Sequence, residues 1–372
     1  METNVTRRRF VGMLGLGSLG LGGAAMLSAC SSTNNAASSA SAVTGAATAP
    51  AASRDEMPGM SGGATQTTPS APAQAAPAMA PDQLDAADLD KLQQFLANIK
   101  APITQGKGGV PLEYELDGEI KVFTITASKT FWQTVPGEPQ EVYAYNAMLP
   151  GPEIRVTEGD TVRVILRNGL PESTTIHFHG LQGVPNALDG VGNLTQPPVK
   201  PGQTFSYEFV AKNPGTHMYH SHLNAMKQVG SGMLGALIVE PKDKSRAPRY
   251  DREYTLVLND TLLGFTINGK GFPATEALTA KQGERLLIRF MNEGNMNHPM
   301  HLHGMPMQVY ARDGYPLPQP YLCDTLDVAP GNRYEVFVDA TEAGAWAFHC
   351  HILTHAEGDS GMFGLVTALV VS

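Results

Sequence analysis

The sequence predicts an all-β protein of two tandem β-sandwich domains, and two observations carry that prediction. From about residue 112 onward, β-branched and aromatic residues are frequent, and Gly and Pro turns interrupt them. Within this region Val162, Val164 and Leu166 alternate with residues of the other face, as in a half-buried strand. The second observation is an internal repeat.

The repeat consists of two pairs of similar segments: residues 159–168 (GDTVRVILRN) with 283–292 (GERLLIRFMN), and 215–223 (GTHMYHSHL) with 344–352 (GAWAFHCHI). The first pair is offset by 124 residues and the second by 129. Similarity at such a long period indicates duplicated structural units. We therefore expect domain 1 at residues 110–242 and domain 2 at residues 249–372, joined by a charged linker at 241–249.

The bulk composition limits the possible functions. The chain has 372 residues, 42% of them hydrophobic, which suffices for about two domains of ordinary size. The net charge is −9 with 26 basic residues, so nothing suggests a nucleic-acid partner. Three cysteines (Cys30, Cys323 and Cys350) cannot form a disulfide framework. We expect Cys323 to be a small buried residue without a partner.

Residues 1–30 have the features of a targeting segment. Residues 6–10 (TRRRF) resemble a twin-arginine export signal, and an apolar, Gly-rich run follows. Residues 27–30 (LSAC) resemble a lipobox, which would make Cys30 the lipidated first residue of the mature protein. A plain transmembrane anchor is the alternative, because the run is long enough to span a bilayer. We expect an exported lipoprotein, periplasmic or at the cell surface and tethered to a membrane.

Two further segments precede the domains. Residues 31–81 consist largely of Ala, Ser, Thr, Pro and Gly and predict a disordered tether. A short helix follows at residues 82–100, with Asp82 as its N-cap. We expect the helix to pack on the domains through four apolar residues that share one face: Leu89, Leu92, Leu96 and Ile99.

The histidines form a regular pattern. Eight of the 11 occur as four His-x-His pairs: His177/His179, His220/His222, His301/His303 and His349/His351. Residues i and i+2 of a strand point to the same face, so each pair presents two imidazoles side by side. Two pairs in each domain give eight imidazoles, which can hold three metal ions if two domains face each other.

A cysteine between two of these histidines predicts a second kind of site. Cys350 points to the opposite face, into its own domain, where His298 and His355 can join it. Two imidazoles and a thiolate are the ligands of a blue-copper site, usually with a weak axial Met. The domain 1 counterparts are Thr174, Ser221 and Met226, so we expect such a site in domain 2 only.

Four motifs together resemble the copper motifs of multicopper oxidases: residues 177–180 (HFHG), 219–222 (YHSH), 298–304 (HPMHLHG) and 349–355 (HCHILTH). The resemblance covers about residues 110–372 and implies cupredoxin-like Greek-key domains with four copper ions per chain. It implies these ligands: type 1, His298, Cys350 and His355; type 2, His177 and His301; type 3, His179, His220, His222, His303, His349 and His351. His217 is left over and is expected beside a ligand or at the surface.

The same resemblance implies roles for two other residues. Asp189 lies in a segment similar to the one that carries a proton-relay carboxylate in laccases, although it could instead cap the turn before Gly190. The axial position of the family falls on Ser360, and the nearest methionine is Met362, so the loop is two residues longer here. We expect Met362 to be the axial ligand. Its domain 1 counterpart, Met233, lies where no copper is expected, so Met362 could instead be a core residue.

Methionines also cluster near the expected type 1 ligands, at positions 291, 296, 300, 305 and 307, and residues 55–60 (DEMPGM) add two more. Thioethers suit Cu(I), but Met also fills gaps in cores, so both interpretations stay open.

The resemblance implies an oxidase with dioxygen as acceptor and a phenolic or metal-ion donor such as Cu(I). It also implies a homotrimer like small bacterial laccases, with the metal clusters at subunit interfaces. A copper nitrite reductase is one alternative, but that family carries its cysteine-containing site in domain 1, where this chain has Ser221. A non-enzymatic copper-binding protein is the other, although no ligand of the motifs is missing.

Overall fold

The computed structural model describes residues 80–101 and 103–372. The predicted signal segment, the lipidation site at Cys30 and nearly all of the predicted tether lie outside the described residues. Among the residues that are described, no helix combines the length and the apolar character needed to cross a bilayer. Strands dominate this part of the chain, which confirms the all-β prediction.

Two α-helices accompany the strands: α1 (Pro81–Ile99) and α2 (Ala225–Ser231). Asp82 is not the N-cap of α1, because the helix begins at Pro81 and the capping position is Ala80. Ala80 has no side chain that can cap the helix, and the Gln83 Oε1 accepts the Ala80 N–H at 3.2 Å. Asp82 lies in the first turn, where its negative charge interacts favourably with the positive end of the helix dipole and stabilises the helix.

The predicted packing face of α1 was also wrong. Leu89 is 55% exposed, and Leu92 and Leu96 are exposed as well, whereas Phe95 is 3% exposed. Ile99 is half-buried and lies on the Phe95 side of the helix. Apolar periodicity identified a stripe of leucines. The surface of domain 2 that contacts the helix instead offers backbone carbonyls, such as that of Met362, and an apolar site for Phe95 beside Phe272.

Domain 1 contains these strands: β1 (Tyr114–Asp117), β2 (Ile120–Trp132), β3 (Gln140–Tyr145), β4 (Gly151–Thr157), β5 (Thr161–Asn168), β6 (His177–His179), β7 (Thr204–Val210), β8 (Gly215–His220) and β9 (Leu234–Glu240). One sheet has the order β1-β2-β5-β7, with β3 paired to β2, and the other has the order β4-β9-β8-β6. A 3-10 helix, Asn186–Leu188, follows β6. The core of domain 1 lies between the two sheets and includes Val164, Phe178 and Leu237.

Domain 2 contains these strands: β10 (Arg252–Asn259), β11 (Thr266–Ile267), β12 (Leu278–Ala280), β13 (Arg285–Asn292), β14 (His298–Leu302), β15 (Met307–Arg312), β16 (Tyr315–Cys323), β17 (Thr325–Val328), β18 (Arg333–Asp339), β19 (Gly344–Cys350), β20 (Glu357–Gly358), β21 (Gly361–Met362) and β22 (Val366–Val371). Its sheets have the orders β11-β10-β13-β18-β15-β16 and β12-β22-β19-β14-β17, and β20 pairs with β21. Two 3-10 helices, Lys244–Arg246 and Leu353–His355, precede β10 and β20.

The strand orders reproduce the internal repeat. The order β2-β5-β7 of domain 1 recurs as β10-β13-β18, and β4-β9-β8-β6 recurs as β12-β22-β19-β14. In each of these four strand orders, the first two strands pair in parallel. Every later neighbouring pair is antiparallel. The predicted pair of tandem β-sandwiches is therefore confirmed, and the duplicated histidine pairs lie on or directly after equivalent strands.

Apolar and ionic contacts join the two domains. The apolar contact contains residues of both: Met218, Val229, Leu234, Ala236 and Ile238 with Val257 and Met291. Beside it, Glu253 of β10 accepts from Arg155 of β4 at 2.7 Å and also contacts Arg289. Burial alone would raise the pKa of Glu253, but the two guanidinium groups hold it down to about 2. The domains therefore form a fixed frame for the sites below.

Candidate metal centres

Domain 2 encloses a thiol and two imidazoles whose donor atoms face one another. The Cys350 Sγ lies 3.9 Å from His298 Nδ1 and 3.6 Å from His355 Nδ1, and the two Nδ1 atoms are 3.3 Å apart. All three side chains are buried. One ion inside this triangle reaches every donor at about 2.0–2.3 Å, as first-row metals require. The residues therefore fit a blue-copper ion.

Strand alternation places these ligands. Cys350 ends β19, opposite Met300 of β14, and its N–H donates to the Leu365 carbonyl at 3.0 Å. The neighbouring His349 and His351 are half-buried and exposed, so they lie on the outer side of the strand. His355 follows on the 3-10 helix Leu353–His355, which turns the chain back toward the thiol.

Burial controls the protonation of the trio formed by Cys350, His298 and His355. Desolvation raises the pKa of the Cys350 thiol to about 11. Desolvation is also the largest influence on His298 and His355, and it lowers the pKa of both imidazoles. The uncharged thiol and imidazoles are the stable forms at neutral pH, so metal binding must release the thiol proton.

Two neighbours of the trio carried no signal in the sequence. The His298 Nε2 lies 3.0 Å from Asp260 Oδ2, a close contact not aligned as a hydrogen bond, and the Asp260 side chain is only 1% exposed. Asp260 also accepts the Asn295 and Met296 N–H groups, each at 2.7 Å. Phe265 stacks on His355 with ring centroids 4.2 Å apart. Both neighbours come from the segment after β10, far from the motifs in sequence.

Each domain also gathers its two His-x-His pairs into one cluster of four imidazoles. In domain 1 the neighbouring ring centroids are 5.3–6.2 Å apart, and the members are His177, His179, His220 and His222. In domain 2 they are 4.9–5.9 Å apart, and the members are His301, His303, His349 and His351. The nearest ring nitrogens are 3.3 Å apart in domain 1 and 3.2 Å apart in domain 2.

Backbone carbonyls fix the orientation of several of these rings. The Nδ1 atoms of His177, His220 and His349 lie within 2.7–3.0 Å of the carbonyls of Asp189, Ser221 and Cys350. A ring that donates from Nδ1 keeps a lone pair on Nε2, the form in which imidazole binds a metal. Burial is the largest influence on His177, His179 and His220 and lowers their pKa values, to about 3 for His179. These three rings are therefore neutral at neutral pH, which is the form that can bind a metal.

The two clusters of one chain remain separate. Across residues 80–101 and 103–372, every close pair of imidazole rings joins two rings of the same domain. The groups in that range that could hold a metal likewise each belong to one domain: His177, His179 and His220, and separately His298, Cys350 and His355.

Asp189 lies at the edge of the domain 1 cluster. Its carbonyl oxygen is 2.7 Å from His177 Nδ1, and its carboxylate Oδ1 is 3.4 Å from the same nitrogen. The side chain is 39% exposed, so it borders both the imidazole and the solvent. Asp189 also ends the 3-10 helix Asn186–Leu188, whose Asn186 carbonyl accepts its N–H. Asp189 therefore contacts a predicted ligand, as a proton relay requires, and also occupies a turn, as the alternative role requires.

The remaining histidine is buried, whereas the remaining described cysteine is half-buried rather than buried as predicted. His217 is fully buried, so a surface position is wrong; its Nε2 is 2.9 Å from the Asn213 carbonyl. Burial lowers its pKa to about 4. The domain 2 residue Gly314 packs on this ring: a Cβ there would lie 2.6 Å from Cε1. Cys323 is half-buried at the end of β16, where it packs against the domain 2 core.

The methionines near the predicted type 1 ligands differ in burial. Met291, Met300, Met305 and Met307 are buried in core clusters, which favours packing over a cuprous-ion role. Met296 is exposed. Met362 is half-buried and packs against a cluster that contains Phe95, whereas Cys350 belongs to the domain 2 core cluster. Residues 55–60 lie outside the described residues.

Domain 1 closes the position that holds the trio in domain 2. Thr174 and Ser221 stand there, and Gln228 Oε1 accepts from Thr174 Oγ1 at 2.7 Å and from Ser221 Oγ at 2.5 Å. Gln228 is fully buried, whereas Met226, the counterpart of His355 in the repeat, is 69% exposed. Sequence comparison missed Gln228 because α2 replaces the loop that carries His355.

Known proteins resemble the chain along both domains. Two family models, each described as multicopper oxidase, match residues 126–244 and 247–368. A laccase of Cryphonectria parasitica is 30% identical over 273 residues, 66% of this chain and 44% of the relative. The chain thus spans less than half the length of the curated relatives that it matches.

Solved structures show the same likeness. The multicopper oxidase mgLAC superposes with a TM-score of 0.63 at 34% identity, covering 68% of this chain and 86% of that chain. A copper nitrite reductase from Nitrosomonas europaea reaches a TM-score of 0.60 at 27% identity, covering 68% and 94% of the two chains.

Proposed function

The chain belongs to the multicopper oxidase family, and on that premise we propose that it oxidises a small reductant one electron at a time and reduces dioxygen to water. Four electrons and four protons convert one O₂ to two H₂O, so four reductant molecules are consumed per dioxygen. The observation that carries the proposal is the buried triangle of Cys350, His298 and His355. The residues on either side of Cys350 are His349 and His351, and both belong to the imidazole cluster of domain 2.

Copper is the cofactor of the family, and we propose four ions per chain. Copper bound here supplies one-electron transfer and the reduction of dioxygen. The proposed ligands are these: type 1, His298, Cys350 and His355, with Met362 axial; type 2, His177 and His301; type 3, His179, His220, His222, His303, His349 and His351. Cys350 is bonded through the backbone to His349 and His351, which gives a short covalent connection between the two kinds of site.

The protein's own groups fix these ligands before metal arrives. Backbone carbonyls hold the Nδ1 of three rings, and the domain 2 core encloses Cys350. Preorganised ligands keep the site geometry similar in both oxidation states, which limits the reorganisation that electron transfer needs.

We propose Asp189 as the carboxylate that delivers protons to the oxygen-reducing cluster. Its Oδ1 lies 3.4 Å from His177 Nδ1, and its exposure gives it access to bulk protons. The end of the 3-10 helix is held by the Asp189 backbone N–H, which donates to the Asn186 carbonyl, so the carboxylate is available for a second role.

The functional assembly that we propose is a homotrimer. A three-copper cluster needs the imidazoles of domain 1 to face those of domain 2, and within one chain these two clusters do not meet among the described residues. Domain 1 of one subunit would therefore face domain 2 of the next. Such a head-to-tail contact must close into a ring or form a filament, and the likeness to small laccases favours a ring of three.

Complementation tests this assembly. His220→Ala disables every domain 1 cluster, and His349→Ala disables every domain 2 cluster, so either variant alone should lack oxygen reduction. Coexpression should restore part of it, because some interfaces then combine two intact halves. Sedimentation equilibrium should give three times the subunit mass. An active monomer, or a failure of coexpression to restore oxygen uptake in a mixed trimer, would contradict the proposal.

Oxygen uptake with phenols, Cu(I), Fe(II) and Mn(II) tests the function itself. We expect consumption of one O₂ per four equivalents of donor, and Cys350→Ser as a control should consume none. Nitric oxide formation from nitrite without oxygen uptake would instead indicate the nitrite reductase. Copper binding with neither reaction would indicate a non-enzymatic copper protein.

We propose further that the chain is exported and tethered to a membrane through a lipid on Cys30. The support is the TRRRF and LSAC motifs in the first thirty residues. Cys30→Ser should move the protein from the membrane fraction to the soluble exported fraction. Arg7→Lys with Arg8→Lys should retain it in the cytoplasm; unchanged fractionation in both variants would contradict export by this route.

A further inference from the structure

Helix α1 lies directly on the loop that joins His355 to Met362. Lys91 donates from Nζ to the backbone carbonyl of Ser360 at 2.6 Å and to that of Met362 at 2.9 Å. The Ser360 hydroxyl lies 3.5 Å from the same ammonium group. One lysine of the helix therefore holds two carbonyls of the loop.

A carboxylate of the helix holds the same loop through a donor. The Met362 N–H donates to Asp88 Oδ1 at 2.7 Å, and Asp88 stands one turn before Lys91. Gly361 allows this approach, because a Cβ at that position would lie only 1.7 Å from the same oxygen. Its φ of +84° also favours glycine.

An aromatic anchor seats the helix beside these contacts. Phe95 is buried, and its ring centroid is 5.2 Å from that of Phe272. The same apolar cluster includes Ala356, the residue directly after His355, and Met362 packs against it. One turn beyond Phe95, Asn98 Nδ2 donates to the Pro273 carbonyl at 3.1 Å. The helix is thus fixed to domain 2 along its C-terminal half.

The loop has little other support. Residues 357–360 are exposed, and the segment is a two-strand hairpin of β20 and β21 that is not part of either large sheet. In domain 1 the equivalent segment is helix α2, whose buried Gln228 and Val229 tie it to the domain. Domain 2 lacks that internal helix, and α1 occupies the corresponding supporting role from outside.

We propose that α1 is a positioning element of the type 1 site: through Asp88 and Lys91 it fixes the loop of residues 357–362 and with it the distance of the Met362 thioether from the copper. This inference rests on the proposed function, because it assigns Met362 as axial donor. If the loop loosens, the axial interaction weakens, and the reduction potential rises because a donor that favours Cu(II) is lost.

A double substitution with a charge-matched control tests the loop contact. Asp88→Ala with Lys91→Met removes three hydrogen bonds to residues 360–362 and leaves the net charge unchanged. Asp85→Ala with Lys100→Met makes the same change at two exposed positions, one within α1 and one at its C-cap. In copper-free full-length protein, amide exchange of residues 357–362 should accelerate about tenfold or more in the first variant only. Unchanged exchange would overturn the proposal.

A double-mutant cycle tests the connection to the copper. The Asp88/Lys91 variant should raise the type 1 reduction potential and change the copper hyperfine splitting in the native background. In the Met362→Leu background it should change neither, because the two changes act through one donor. A loosened loop with an unaltered potential, or equal shifts in both backgrounds, would overturn the proposal. A protein that binds no blue copper at all would instead refute the proposed function, while the exchange measurement still reports on the helix.

Discussion

The two domains share a strand order but use the same interior position in opposite ways. In domain 1, Thr174 and Ser221 donate to Gln228, so the position is filled by a hydrogen-bonded group. In domain 2 the position holds Cys350 and two imidazoles whose donor atoms face one another at metal-binding separation. A few side chains therefore decide whether this fold closes the position or opens it to a metal.

The segments that follow these positions differ for the same reason. Domain 1 continues into α2, which carries Gln228 into the interior. Domain 2 continues into the 3-10 helix with His355 and then into the hairpin, which α1 contacts from outside through Asp88 and Lys91. His355 reaches Cys350 from a 3-10 helix, whereas Gln228 reaches the interior from α2, so the two repeats differ in backbone structure here.

The largest expected contrast between the domains comes from the thiol. Cys350→Ser should abolish the blue absorption and substrate oxidation, because the hydroxyl is a poor copper ligand. Copper analysis should still find the other three ions, since their proposed ligands lie in the two imidazole clusters and do not include Cys350. Ser221→Ala, its domain 1 partner, should leave colour and activity intact. Loss of all copper from Cys350→Ser would contradict separate sites.

The next contrast compares the carboxylates of the two repeats. Asp189→Asn should slow oxygen reduction about 10²-fold, the usual scale for a lost proton donor, and acidic buffer should partly rescue it. Anaerobic reduction of the type 1 copper should not change. Asp313 occupies the equivalent position but accepts the Arg333 N–H at 3.0 Å. Asp313→Asn should therefore affect stability rather than turnover; equal slowing by both variants would argue against the relay.

The hydrogen-bonded group of domain 1 should matter for stability alone. Gln228→Leu leaves the buried hydroxyls of Thr174 and Ser221 without their shared acceptor. We expect a loss of about 1–3 kcal/mol in the free energy of unfolding, measured by denaturant titration, with unchanged copper spectra. The exposed Met226 serves as control, because Met226→Leu should be neutral. An altered type 1 absorption in Gln228→Leu would show that packing in domain 1 affects the copper site of domain 2.

The smallest contrast concerns the paired methionines. Met362→Leu should keep the site blue and raise its reduction potential, with a stability loss below about 1.5 kcal/mol. Met233 is fully buried in the core of domain 1, so Met233→Leu should change only stability. An unmoved potential in Met362→Leu would remove it as axial ligand and leave Ser360 or no residue in that position.

Much of this architecture was predictable because it depends on local period. The period of two in a strand placed His349 and His351 on one face and Cys350 on the other. The long-period repeat predicted two copies of one sandwich, and the strand orders confirm it. A copper site was predictable from residue types and their spacing, since one thiolate with two imidazoles is the ligand set of blue-copper sites.

Other features depend on contacts between distant segments, and no local pattern encodes them. Asp260 beneath His298, Phe265 on His355 and Gln228 in domain 1 are ordinary residues until the fold brings them to those positions. Helix α1 is the clearest case: its leucine stripe suggested one face, yet Asp88, Lys91 and Phe95 make the contact.

The sequence by itself determined the fold class, the duplication and the metal-binding residue types, because each follows from spacing along one strand or from the chemistry of a side chain. Only the tertiary structure decided which face of α1 is buried, what fills the position in domain 1, and that the two imidazole clusters of a chain stay apart among the described residues. The physical reason is that these outcomes depend on matching the polar groups and shape of one surface to another. Such matching arises only when segments far apart in sequence meet.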